Sequence, residues 1–130
     1  MTPEAKDYLE RAQHLLTQAR TIRHAGVAEQ ATRVAYSAGF NAAQALIFTR
    51  RGHAAKTHRG LRAAFAELVQ TEPSIDPVFA TFLGRAYRLK ETTDYGIGSQ
   101  PDVTDADAEE MIAVADRLID CIARLLTSEP

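Results

Sequence analysis

Apolar residues recur along the chain three and four positions apart, and no stretch of any length alternates with the period of two that a half-buried strand shows. Five segments carry the helical spacing. The first is expected from Pro3 to Ala25: Thr2 can cap it, Pro3 suits its first turn, Leu9, Ala12, Leu16 and Ala19 form one stripe, and Gly26 stops it. The second is expected from Val27 to Arg51, with Arg50 and Arg51 at its electronegative end and Gly52 as the stop. Its centre, VAYSAGFNAAQALIF, is apolar or small on every side, the mark of a helix surrounded by others. After the connector His53–Lys56, Thr57 can cap a short third helix that reaches Thr71 before Pro73. Asp76 and Pro77 open a fourth, expected to reach Asp94 because Gly96, Gly98 and Pro101 break the helical pattern beyond it. Thr104 with Asp107 resembles a capping box opening a fifth, which runs to Thr127.

Four long helices, one short one and brief connections predict an all-α fold, an antiparallel up-and-down bundle forming a single domain over residues 1–130. The fifth helix carries a second apolar stripe (Ile112, Ile119, Leu126), and the second helix is apolar all round. A bundle this small is not expected to surround both, which predicts a homodimer.

Composition narrows the field. A quarter of the residues are charged and 45% are apolar, as in an ordinary globular protein, and the net charge of −2 supplies no global attraction for nucleic acid. The charge is unevenly placed. Arg50, Arg51, Lys56, Arg59 and Arg62 fall within one acid-free run that also holds His53 and His58, whereas 102–120 carries seven acids and one Arg. The basic run is either an anion-binding face or a solvated corner. No apolar run approaches a membrane span, the N-terminus is polar, and the single Cys121 is expected as a small core residue in a reducing compartment, so a cytoplasmic location is expected.

Two strings stand apart from simple packing: Lys56–His58 (KTH) and Arg88–Tyr95 (RLKETTDY). Arg85, Arg88, Thr92 and Tyr95 share a helix face, with Asp94 nearby. Arg offers a planar fork of donors for phosphate, and Tyr a ring for stacking. His58, beside Lys56 and Arg59 at a capped helix start, can meet an anion or act as an acid or base. The plainer alternative pairs Arg88 with Glu91 or a neighbouring helix and leaves His58 as a polar residue of a capping turn. The His and Cys positions have no metal-ligand spacing, and the chain holds neither a GxSxG elbow nor a nucleotide fingerprint, so no metal and no cofactor are expected.

Taken together, YSAGFNAAQALIFTRRG (Tyr36–Gly52), KTHRGL (Lys56–Leu61) and RAYRLKETTDYG (Arg85–Gly96) resemble the short prokaryotic HEPN-domain proteins, over about residues 5–126. The resemblance implies a helical bundle, usually a homodimer, often partnered by a minimal nucleotidyltransferase as a toxin–antitoxin pair. Active members are metal-independent RNases whose motif is Arg, four to six residues, then His, with Tyr close behind. Here Arg88 matches the Arg and Tyr95 the Tyr, while Asp94 stands near the place of the His. The resemblance therefore implies a nucleic-acid or nucleotide-binding module contacting its ligand through Arg51, Lys56, His58, Arg59, Arg85 and Arg88. The alternatives are an endoribonuclease using Arg88, Asp94, Tyr95 and His58, and a non-catalytic scaffold.

Overall fold

The chain, seen in a computed structural model, is described for the backbone of residues 1–95 and 103–129 and for the side chains of residues 1–89 and 103–129. It forms five helices: α1 (Pro3–His24), α2 (Ala28–Arg51), α3 (His58–Thr71), α4 (Val78–Tyr95) and α5 (Asp105–Thr127). No strand occurs among the described residues.

The ends are set by the chemistry that the sequence suggests. Thr2, Thr57 and Thr104 each accept a backbone N–H from the first turn of α1, α3 and α5 respectively, satisfying donors no intrahelical carbonyl can reach. Asp107 reaches back to the Thr104 N–H and closes the capping box. Asp76 accepts from the Val78 N–H at 2.9 Å, the bond of an N-cap to the second residue beyond it, which places Pro77 at the entry to α4 as the sequence suggests. Gly52 takes a left-handed conformation (φ 79°) to end α2, where a Cβ would be strained. The Gly96, Gly98 and Pro101 breaks expected after α4 lie outside the described residues.

One continuous core runs through all five helices, and α2 packs against each of the other four. Ala35, Ala38, Ala42, Ala43 and Ala45 on α2 are fully buried, and their small side chains let the neighbours close in. The tightest approach is at Gly39, where a Cβ would stand 2.9 Å from the Phe82 ring of α4. The apolar surplus that the sequence assigns to a partner is covered within the chain. Ile112, Ile119 and Leu126 are all buried, because α5 is wedged between α1, α2 and α4. Cys121 is only half-buried, lining a surface groove beside Ser74 and Phe79, and burial pushes its thiol pKa up. It is therefore not the fully enclosed core residue that its apolar neighbours suggest.

The four long helices alternate in direction. Arg20 meets Asp116 while Arg23 meets Asp105 and Glu109, so α1 and α5 run oppositely. Tyr87 lies by Tyr36 and Phe82 by Gly39, so α2 and α4 also run oppositely. α3 breaks the alternation. His58 at its start meets Tyr36, and Glu67 and Glu72 further on meet Arg51 and Arg50, so α3 runs in the same sense as α2. The cause is the connector, which doubles back along α2. The Gln44 side chain, almost fully buried, donates to the Ala55 carbonyl and accepts from the Ala55 N–H, both at 2.9 Å. This pair of bonds imitates a strand partner and sets the residues of the connector in place before α3 begins.

Candidate nucleic-acid interface

Doubling back brings the first residue of α3 against the middle of α2 and the far half of α4. His58 sits among three rings, with centroids 5.0 Å from Phe40, 5.4 Å from Tyr87 and 5.6 Å from Tyr36. The Tyr36 hydroxyl and His58 Nδ1 are hydrogen-bonded at 2.8 Å. Tyr36 is buried, which pushes its pKa up to about 12 against the opposing pull of the Arg62 guanidinium, so it keeps its proton at neutral pH. In the neutral imidazole the phenol donates to Nδ1 or accepts from Nδ1–H according to the tautomer; in the imidazolium Nδ1 donates to the phenol oxygen. His58 is itself exposed.

Arg62, one turn after His58 on α3, lies with its guanidinium carbon 4.2 Å above the Tyr87 ring, a cation–π contact. Its Nη1 is buried and has no hydrogen-bond partner among the described residues. An orphaned donor of this kind costs about 1–3 kcal/mol unless water or a ligand supplies an acceptor. Tyr36, Phe40, His58, Arg62 and Tyr87 thus form one cluster of rings and cations on three helices.

The residues expected from sequence distribute around it. His58 is at its centre. Arg88 comes directly after Tyr87 on α4 and is exposed, its guanidinium lying along its own helix so that a Cβ added at Gly84 would stand 3.5 Å from Nη1. The structure therefore brings the opening of α3 against the part of α4 that carries Arg88. Lys56 and Arg59 are exposed on either side of Thr57 and His58. Arg51 and Arg85 are engaged elsewhere: Arg51 pairs with Glu67 on α3, and Arg85 with Glu110 on α5, which holds the Glu110 carboxyl below its usual range. Arg50, also in the basic run, pairs with Glu72 and Glu129. The side chains of Asp94 and Tyr95 lie outside the described residues. Among the described residues no group of three His, Cys, Asp or Glu side chains could hold a metal, and no helix is long and apolar enough to cross a membrane.

The apolar pattern places Tyr36 and Phe40 in the core stripe and marks no role for Arg62 or Tyr87. A signal is nonetheless present: Tyr36 and Phe40 are four apart, as are His58 and Arg62, so each pair shares a face. The direction of α3, which makes the two faces meet, is not readable from the chain.

The fold is an all-helical module in which rings and cations cluster where α2, α3 and α4 meet. The chain belongs to the HEPN domain family, whose model matches residues 5–125. At the level of the family this supports a nucleotide-binding or RNase-like module. No curated protein matches the chain.

Proposed function

We propose that the protein is a dimeric HEPN module that binds single-stranded RNA, or a nucleotide, over the Tyr36–His58–Arg62–Tyr87 cluster, and that it partners a minimal nucleotidyltransferase in a toxin–antitoxin-like pair in the cytoplasm. The observation that carries the binding site is the buried Arg62 Nη1, without an acceptor among the described residues, beside an imidazole whose Nδ1 is hydrogen-bonded to the Tyr36 hydroxyl. Rings and cations interleaved in this way suit a ligand with both π-faces and phosphates. Lys56, Arg59 and Arg88 extend the cationic surface on either side of the rings. Dimerisation rests on family membership, not on apolar surplus, since the bundle covers its own stripes.

The test is fluorescence anisotropy with labelled oligoadenylate at rising salt. Affinity should fall steeply with salt, by about 0.7 in log–log slope for each phosphate contacted. Arg62→Ala and His58→Ala should each weaken binding tenfold or more while leaving the circular-dichroism spectrum unchanged. Wild-type protein that binds neither RNA nor nucleotide at low salt ends the proposal.

A second reading, a metal-independent endoribonuclease, is favoured by the Tyr36–His58 bond, which orients an imidazole as a general acid or base requires. In that reading Arg88 stabilises the phosphate, Asp94 or His58 acts as the acid or base, and Tyr95 is a support. Structured RNA should then be cleaved in EDTA by the wild type and not by Arg88→Ala.

A further inference from the structure

Along α2 the residues that face α3 and the connector lie on one stripe: Tyr36, Phe40, Gln44, Ile47 and Arg51. The first two hold His58, and the third holds the connector at Ala55. The last two open into a separate groove of about 200 Å³ on the far side of the connector. Its floor is apolar, from Ile47 and Ala64, and it is rimmed by Arg51, His53, Lys56 and the first turn of α3 at Gly60. Arg51 is balanced by Glu67, whereas His53 and Lys56 are exposed and face no carboxylate at ion-pair distance among the described residues. Two cation-lined surfaces thus flank one short connector that a buried amide holds in place.

We infer that this groove is a second subsite for the same ligand, and that the ligand is a strand of several nucleotides rather than a mononucleotide. The inference rests on the nucleic-acid-binding reading of the His58 cluster. Phe40 and Ile47 are seven residues apart on α2, or about 10 Å along the helix axis. A mononucleotide held at His58 does not reach the groove, whereas about three stacked nucleotides, at about 3.4 Å each, do. The strand would lay a base against the Phe40–His58 edge, pass a phosphate over Lys56, and set a phosphate between Lys56 and His53. Gln44 is a positioning residue: it touches no ligand but fixes the connector that holds the two surfaces apart.

The experiment compares AMP with oligoadenylates of two, four and six nucleotides, on the full chain, by competition against a labelled oligonucleotide. Wild-type affinity should rise about tenfold or more between AMP and the tetranucleotide and then level off, as a second contact joined to the first predicts. In the double variant His53→Ala/Lys56→Ala the gain should collapse to within about threefold, and the log–log salt slope for the tetranucleotide should drop by about 0.7 or more. Both side chains are exposed, so the variant folds as the wild type does, which circular dichroism checks. Equal affinity for AMP and the longer ligands, or an unchanged gain in the double variant, overturns the second subsite while leaving the His58 site standing. Absence of binding by AMP and by every oligonucleotide removes the parent reading as well.

Discussion

The α1–α5 seam and the α2–α3–α4 face both present arginines to solvent, and they treat them oppositely. On the seam Arg23 is forked between Asp105 and Glu109, and Arg20 meets Asp116, so each guanidinium is answered by a carboxylate from α5. On the other face Arg62 lies on a tyrosine ring with a donor unanswered, and His58 is held by a phenol. The first arrangement pairs its cations with carboxylates; in the second the buried Arg62 Nη1 has no acceptor among the described residues. Charge density along the chain does not separate the two. Within the basic run Arg50 and Arg51 are neutralised by Glu72, Glu129 and Glu67. What separates a site from a solvated surface here is the identity of the partner, not the count of cations.

The largest effect is expected at Gln44. Replacing it by Ala leaves the Ala55 N–H and carbonyl without partners beside the core, and should cost about 2–3 kcal/mol in urea unfolding. It should also weaken oligonucleotide binding, because the connector loses its register. A loss below about 0.5 kcal/mol would mean that the connector is held by something other than this amide. Next in size is Gly39→Val, which forces a side chain into the Phe82 ring and should cost about 1–3 kcal/mol by parting α2 from α4. Unchanged stability there would show that the two helices separate freely.

Tyr36→Phe is smaller and more discriminating. It keeps the ring among Phe40, His58 and Tyr87 and removes only the hydroxyl that holds Nδ1. About 1 kcal/mol of stability should go with that bond. RNA affinity should fall with it, since the imidazole can then turn. Arg23→Ala on the seam should lower the melting temperature slightly and leave RNA affinity unchanged. Equal effects of the two variants on affinity would erase the distinction between the regions.

Most of the bundle is legible in the sequence because helix ends are written locally. Thr2, Thr57, Thr104 with Asp107, Gly26 and Gly52 each act within a few residues of where they stand. The central place of α2 is legible too, since a helix without a polar face has to be surrounded. Three things are not legible. The sense of α3 depends on a Gln eleven residues from the alanine it holds, and nothing in the spacing announces that bond. Arg62 is one more cation of the basic run until the fold lays it on Tyr87. The second stripe of α5 resembles an interface because sequence pattern gives the width of an apolar face and not the number of neighbours that share it.

The smallest effect concerns pH, and it separates the carboxylates satisfied within the bundle from the ring cluster. The Thr104 backbone and hydroxyl hold the Asp107 carboxyl below its ordinary value of 3.8, while Arg85 and Arg50 hold Glu110 and Glu129 below 4.5. A carboxyl depressed in the folded state takes up its proton first in the unfolded chain, so its contribution is present above the unfolded value and is lost as pH falls through the folded one. The melting temperature should therefore be level from neutrality down to about pH 5 and decline below it. Glu110 is exposed and Asp107 and Glu129 are partly so, and each contribution is small. Glu110→Gln should flatten part of that decline. The other region responds at the opposite limit: Tyr36, with its pKa pushed up to about 12, stabilises the fold fully below the unfolded value of 10 and loses that contribution as pH rises towards 12. Tyr36→Phe should remove some alkaline sensitivity and leave the acid limb untouched, while Glu110→Gln should do the reverse. Variants that each shift both limbs would mean that these carboxylates and the ring cluster titrate as one unit.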